Sequence, residues 1–386
     1  MMLISNMAQA VQPSLTRQLF NKAQQYNNVV DLTLGDPDIK PDDRIIKAAS
    51  KAIEEGKTRY SANAGLIALR KAIAKNILDE YKISVDPNEE IIATVGGMEA
   101  LFLAFAAIVN QGSEVLIQAP YYVNYVQMVR MLGGVPVLIE TKEENGFEID
   151  VNDLKKAITD KTVAIVINTP SNPTGRVISE KVLKEIAKLA VEHNLYVISD
   201  EVYKTLIFDN KQHASVFTYE GMKERTILID SFSKRFAMTG YRIGYAVGNS
   251  EVIKNMVKMQ ENVAACAPLP SQYAAIAALE NCINDDIKNV YEKRCKMVSK
   301  MINQIGTIHC LEPESTFYLF VNVSKTGLKS LEFANKLLEE VQVAVAPGIA
   351  YGESYDDYIR IACTLDEKKL EEGANRIKKF VNSLGV

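Results

Sequence analysis

From about residue 90 to 250, short apolar runs rich in β-branched residues alternate with longer helical patterns, and few folds accommodate that order. Ile91-Ile92-Ala93-Thr94 leads through Gly96-Gly97 into a helix-like run over 99–108, and Glu114-Val115-Leu116-Ile117-Gln118 follows Gly112. Leu195-Tyr196-Val197-Ile198 and Thr226-Ile227-Leu228-Ile229 repeat the theme, and Val163-Ala164-Ile165-Val166-Ile167 is apolar throughout. A strand with one wet face alternates polar and apolar side chains. A continuously apolar strand must be covered on both faces, and strands separated by helices are joined in parallel. The expectation is an α/β fold whose large domain is a mainly parallel sheet flanked by helices.

The ends of the chain do not continue the pattern. Residues 1–42 hold one helix-like piece and an extended segment with Gly35-Asp36-Pro37. Beyond about 275 come a helical region over 281–305, strands near 317–323 and 358–362, and a closing amphipathic helix over 366–380. We expect a large domain over 43–275 and a smaller α+β domain over 276–386, completed by the arm 1–42. A chain of 386 residues, 47% hydrophobic, is long enough and apolar enough for two cores. No internal repeat or low-complexity linker marks the boundaries.

Composition excludes several classes of function. A formal net charge of −4 argues against a chain built to hold nucleic acid or an anionic membrane. No run approaches the roughly 18 apolar residues of a membrane span. Residues 1–10 lack the basic start of a secretory signal, so the cytoplasm is the default and the sequon Asn322-Val323-Ser324 carries no weight. Five cysteines without C-x-x-C spacing read as reduced thiols, and the three histidines show no ligand spacing, so no metal site is expected.

In open α/β sheets, ligands lie beyond the carboxyl ends of the strands. Five polar or Gly-rich segments follow five expected strands: Gly96-Gly97, Pro120-Tyr121-Tyr122, 168–175, Ser199-Asp200, and Ser231-Phe232-Ser233-Lys234. Any one of them could be a turn, but five at one edge point to a shared ligand. At the start of a helix the N–H groups of Gly97, Met98 and Glu99 are free for an anion. Ser231 and Ser233 add hydroxyls, and Arg242 adds a two-point charged fork. Asp200 offers a carboxylate, Asn172 and Tyr203 hydrogen bonds, and Lys234 an amine that condenses with an aldehyde. Such a set serves the phosphate, ring nitrogen, ring oxygen and aldehyde of pyridoxal phosphate.

In this order and spacing the chain resembles the class I/II aminotransferases of the fold type I pyridoxal-phosphate enzymes, aspartate aminotransferase-like. The resemblance rests on Tyr60-Ser61-Ala62-Asn63-Ala64-Gly65, Gly96-Gly97-Met98-Glu99-Ala100-Leu101, Asn168-Thr169-Pro170-Ser171-Asn172-Pro173-Thr174-Gly175, Ser199-Asp200-Glu201-Val202-Tyr203, Ser231-Phe232-Ser233-Lys234, Thr239-Gly240-Tyr241-Arg242-Ile243-Gly244 and Tyr358-Ile359-Arg360-Ile361. It implies that Lys234 is the Schiff-base lysine and acid–base catalyst. Asp200 then pairs with the ring nitrogen, Tyr203 and Asn172 bond the ring oxygen, and Tyr122 stacks on the ring. Many relatives place tryptophan at the stacking position, and this chain has no tryptophan. The resemblance further implies that Arg360 clamps the substrate's α-carboxylate, that the backbone of Gly35 approaches the substrate, and that Tyr60 reaches across a homodimer interface to the phosphate.

The expected activity is transfer of an amino group from an L-amino acid to a 2-oxo acid such as 2-oxoglutarate, by a ping-pong mechanism. A C–S β-lyase on the same scaffold would use the same lysine, aspartate and arginine. A pyridoxal-binding regulatory module would need a helix-turn-helix domain, for which about 30 residues ahead of the fold are too few. The donor's side chain stays open. Residues 39–43 and the stretch Pro313-Glu314-Ser315-Thr316-Phe317-Tyr318, through its Ser-Thr, both depart from the pattern of close relatives, and both are candidates for contacting substrate.

Overall fold

A computed structural model describes residues 4–209, 211–282 and 285–385. Its main sheet has seven strands in the order Ile91–Thr94, Gly244–Val247, Thr226–Ser231, Tyr196–Asp200, Thr162–Asn168, Glu114–Ala119, Val135–Glu140. The last five are mutually parallel, while Gly244–Val247 runs antiparallel to both its neighbours. The five strands read from the sequence are all present. The two that escape notice are short or interrupted: Val135–Glu140 carries Pro136, and Gly244–Val247 has four residues starting on glycine.

The doubly covered sheet follows from the apolar runs. Val166 packs with Ile117, Ile198 and Ile229 beneath helices Gly96–Ile108 and Ser250–Val263. Its neighbour Ile165 points to the opposite face, among Leu116, Val197 and residues of helix Glu180–Glu192. Both are fully buried, as a strand with helices on either side requires. Helix Leu269–Asn281 packs on helix Asp43–Glu54 and adds Ala274, Ala275 and Ala278 to the sheet's core.

A second core gathers chain ends that are far apart in sequence. Four antiparallel strands, in the order Ala346–Pro347, Tyr358–Ala362, Tyr318–Asn322, His309–Cys310, pack with helices Asp285–Asn303, Ser330–Val341 and Glu367–Ser383. Val30–Asp31 pairs in parallel with Val343–Ala344, and Leu19, Val30 and Leu32 share a core with Phe333, Ile361 and Phe380. The backbone N–H of Leu32 donates to Ala344, and its carbonyl accepts from Ala362. The N-terminal arm is thereby fixed where the segment 33–36 runs along the carboxyl edge of the large sheet. Of the helical region expected over 281–305, residues 283 and 284 lie outside the described ones, and a helix occupies Asp285–Asn303. Among the described residues, no helix is long and apolar enough to cross a membrane.

Candidate active site

Six strands of the main sheet end at one edge, where Gly244–Val247 begins, and a cavity of about 420 Å³ opens there. The strand directions alone therefore bring Gly97, Tyr122, Asn172, Asp200, Ser231 and Lys234 to one space, with Met98, Tyr203, Ser233 and Arg242 beside them. From the smaller core come Arg360, Tyr318 and Tyr351, and from the arm come Gly35, Asp36 and the start of helix Leu15–Ala23.

One end of the cavity is built for an anion. Ser231 caps the short helix Phe232–Arg235 by accepting from the Ser233 N–H, and the two hydroxyls lie 2.9 Å apart. Arg242 has φ +50°, a conformation that non-glycine residues seldom adopt, and its guanidinium donates to the Thr239 carbonyl. No carboxylate lies within ion-pair distance of it among the described residues. Gly96 has φ +75°, where any side chain is strained, and a Cβ there would displace the Arg242 guanidinium. The first-turn N–H groups of helix Gly96–Ile108 have no acceptor within the helix and face the same end.

The deeper end is built for a cation. Asp200 is buried at the end of its strand, and its acceptors are met by the Tyr125 hydroxyl at 2.5 Å and, more weakly, the Val202 N–H. No positive side chain pairs with it among the described residues. Burial pushes its carboxyl up to about 6; the bonds from Tyr125 and Val202 pull the other way, and the charges of Asp230 and Glu201 add to the rise. Asn168 fixes the local backbone, donating to the Asp200 carbonyl and accepting from the Asn172 N–H. Behind Asp200, Glu201 is fully buried. Burial alone would raise its carboxyl, but His213, Lys204 and Ser215 outweigh that and hold it at about 2. Lys204 in turn bridges Glu80 and Asp230. A polar network thus underlies both Asp200 and Ser231, because Asp230 also accepts from the Ser231 N–H.

Lys234 donates to the Gly35 carbonyl at 2.5 Å and lies over the Phe317 ring. Enclosure lowers its amine to about 8, with Asp36 opposing the shift and Arg360 and Arg242 adding to it. Tyr203 shares a hydrogen bond with Tyr318. Arg360 is 5% exposed, donates to Asn172 and to the Thr33 carbonyl, and lies over the rings of Tyr318 and Tyr351. Its Nε is buried with no partner. A charged donor left unpaired in a cavity wall is costly unless a ligand meets it.

Most of the residues expected from the sequence meet at the cavity, and two stand apart. The Glu99 carboxylate turns back to accept from the Val95 N–H, outside the cavity. Tyr60 is 86% exposed and does not line it. Tyr122 lies on the wall with its hydroxyl against the Met98 sulfur, edge-on to Tyr125. Of the two stretches that depart from the family pattern, 39–43 and 313–318, only Tyr318 lines the cavity. Ser315 donates to the Gly175 carbonyl and Thr316 accepts from the Tyr318 N–H, both fully buried, while Lys40 pairs with Asp43 at the surface. Sequence reasoning missed Tyr125 and Tyr351. Tyr125 had a signal, because it follows Tyr122 by three residues into a helix and shares its face. Tyr351 had none.

Gly35 tolerates no side chain. A Cβ there would fall 1.7 Å from the Tyr318 hydroxyl and 2.8 Å from the Phe317 ring. Gly35→Ala should displace Tyr318 from Tyr203 and cost about 1–3 kcal/mol, the range for overpacking a filled interior. A melting temperature equal to that of the parent protein would show that the arm gives way freely.

Residues 27–377 match the model for aminotransferase class I and II. The chain is 41% identical to an aspartate aminotransferase of Pyrococcus abyssi and 38% identical to aromatic-amino-acid aminotransferase 2 of Thermococcus litoralis, in each case covering 98% of both proteins. The structure of Thermus thermophilus aspartate aminotransferase with maleate superimposes with a TM-score of 0.94 at 36% identity, covering 98% of this chain and 100% of that one. A match this long, on a fold whose strand ends carry the family's motifs in order, leaves one assignment: the chain belongs to the class I and II aminotransferases.

Proposed function

We propose that this aminotransferase uses pyridoxal phosphate to move the amino group of an L-amino acid to a 2-oxo acid, 2-oxoglutarate being the favoured acceptor, in two successive half-reactions. The observation that carries the reading is Asp200, a buried carboxylate on the cavity wall with no cation to meet it among the described residues. A protonated ring nitrogen is the partner it lacks. The anion-binding end then suits a phosphate, through Ser231, Ser233, Arg242 and the N–H groups of Gly97, Met98 and Glu99. In this reading Tyr203 and Asn172 bond a ring oxygen and Tyr122 covers one ring face. The unpaired Nε of Arg360 suits the α-carboxylate that every amino acid carries. When bound, pyridoxal phosphate supplies an aldehyde and a conjugated ring that takes up the electron pair left on the donor's α-carbon.

The protein's own groups have distinct tasks in this reading. Arg360 and Asn172 orient the substrate so that its α-hydrogen faces Lys234. The Lys234 amine, with its affinity for a proton already lowered, takes that proton from the α-carbon and returns it on the other side of the transfer. Asp200 holds a proton on the ring nitrogen. The apolar wall of Met98, Leu34 and Val123 keeps water from the reacting atoms.

The proposal includes a homodimer to which Tyr60 contributes across the interface. The segment behind Tyr60 is pinned, since Gln272 donates to the Ser61 hydroxyl and Gln260 to the Asn63 carbonyl, yet Tyr60 itself projects outward. An exposed aromatic on a fixed loop suits a contact with a second subunit. Sedimentation should give twice the mass of one chain; a monomer that transaminates would remove Tyr60 from the site.

The activity is tested by supplying a panel of L-amino acids with 2-oxoglutarate and measuring glutamate, while the visible cofactor band is followed in each half-reaction. Glutamate formed with at least one donor supports the reading. Pyruvate and sulfide from cystathionine, with no glutamate from any donor, would establish a β-lyase instead.

A further inference from the structure

Ser231, Ser233 and Lys234 share one short segment, and that segment is held from behind by a second lysine that the proposed reaction does not use. We infer that Lys204 is a positioning residue for the cofactor's phosphate. It cancels the buried charge of Asp230, on which Ser231 rests, and so keeps the anion-binding end attractive to an anion. The inference rests on the pyridoxal-phosphate reading and adds to it a residue outside the cavity.

The turn after strand Tyr196–Asp200 sends neighbouring side chains to different places. The Lys204 N–H donates to the Glu201 carbonyl at 3.0 Å, Tyr203 lines the cavity, and the Lys204 side chain lies outside it, 5% exposed. Its amine meets Asp230 at 2.9 Å, Glu80 at 2.7 Å and the Tyr81 hydroxyl at 3.0 Å. Burial disfavours the ammonium, but Asp230, Tyr245, Tyr81 and Glu80 outweigh it and raise its affinity for a proton above the ordinary value. The amine is therefore charged at neutral pH.

Asp230 is where that charge counts. It is buried, and its oxygens accept from the Ser231 N–H at 2.6 Å and the Tyr245 hydroxyl at 2.8 Å. Those donors are neutral, so they satisfy its hydrogen bonds without cancelling its charge. Among the described residues, Lys204 is the only ion-pair partner of Asp230. Glu80, the other partner of Lys204, also pairs at 2.9 Å with Arg235, directly after Lys234. Glu80 and Asp230 against Lys204 and Arg235 close the back of segment 230–235 with no net charge. Without Lys204, one buried negative charge would remain behind the serines, where it would repel a phosphate dianion.

The test titrates the full chain, stripped of cofactor, with pyridoxal phosphate and with pyridoxal, which lacks the phosphate, and takes the ratio of the two affinities. Lys204→Met should lower that ratio roughly tenfold or more, the effect of one unit charge close to another in a partly buried site. Adding Asp230→Asn to it should return the ratio to within about threefold of the parent, because the uncancelled charge is gone. The amide keeps an oxygen for the Ser231 N–H, so the local geometry is retained. Asp230→Asn alone leaves Lys204 paired with Glu80 and should raise the ratio roughly twofold or more. If Lys204→Met does not fold, that single variant decides the matter. A role in folding alone would weaken both ligands together and leave the ratio where it was. An unchanged ratio in Lys204→Met, no recovery in the double variant, or no rise in Asp230→Asn would overturn the inference. A parent protein that binds both ligands equally would remove the cofactor reading as well.

Discussion

Lys234→Ala should lose transamination by at least about 10⁴-fold, the upper range for a positioned acid–base group. The loss should be chemical and not structural. The Lys234 side chain hydrogen-bonds only the Gly35 carbonyl among the described residues, and no ion pair depends on it. The sign of the stability effect supports this separation. The folded protein holds the amine at about 8, below its ordinary 10.5, so the fold bears a protonated, poorly hydrated amine at pH 7. That burden is full below pH 8 and disappears as pH rises through 8 towards 10.5. Removing the amine should therefore leave the melting temperature at pH 7 unchanged or slightly higher. The same value sets reactivity. Capture of an aldehyde by Lys234 should accelerate about tenfold per pH unit below 8 and level off above it. A flat profile between pH 6 and 9, or an active alanine variant, would remove Lys234 from its role.

Asp200→Asn should lower kcat by about 10²–10³-fold, as expected when one buried charge that stabilises the transition state is removed. The ligand-free protein should respond in the opposite way. Its folded-state carboxyl is raised from 3.8 to about 6, so ionising it opposes folding. The penalty is complete above pH 6, shrinks as pH falls, and is gone below 3.8. It amounts to about 3 kcal/mol at neutral pH, since a tenfold change in proton affinity corresponds to about 1.4 kcal/mol. The asparagine variant should thus melt higher than the parent at pH 8, with the gap closing towards pH 4. Tyr125 can still donate to the amide oxygen, so the site should keep its shape. A near-normal rate, or a variant less stable at every pH, would show that ionised Asp200 neither serves the reaction nor burdens the fold. Stability given up at a charge that waits for its ligand is a common arrangement in active sites.

Much of this site was legible in one dimension because strand ends are. A continuous apolar run announces a buried parallel strand, and the polar residues just after it must emerge at one edge. Asp200 and Ser231 close their strands and Asn172 and Lys234 follow theirs, so position along the chain already implied proximity in space. Arg242 could be added as a free charge near a turn. Glu99 shows the limit of that reasoning. Its N–H was rightly placed at a helix start, while its carboxylate took the nearby Val95 N–H, a choice between local partners that spacing does not specify.

The sequence by itself determined the α/β architecture, the direction of the core strands and the set from Gly97 to Lys234 that meets at one cavity. Those follow from local periodicity and from the rule that parallel strands end together. The tertiary structure decided what completes the cavity wall. Arg360, Tyr351 and the start of helix Leu15–Ala23 reach the cavity only because residues 16–36 and 343–362 fold into one core, more than 300 positions apart. No local pattern encodes such a meeting, since it is driven by non-directional apolar burial between distant segments. The same holds for Tyr125 against Asp200 and for the unmet Nε of Arg360, which are visible only once every other partner has been placed.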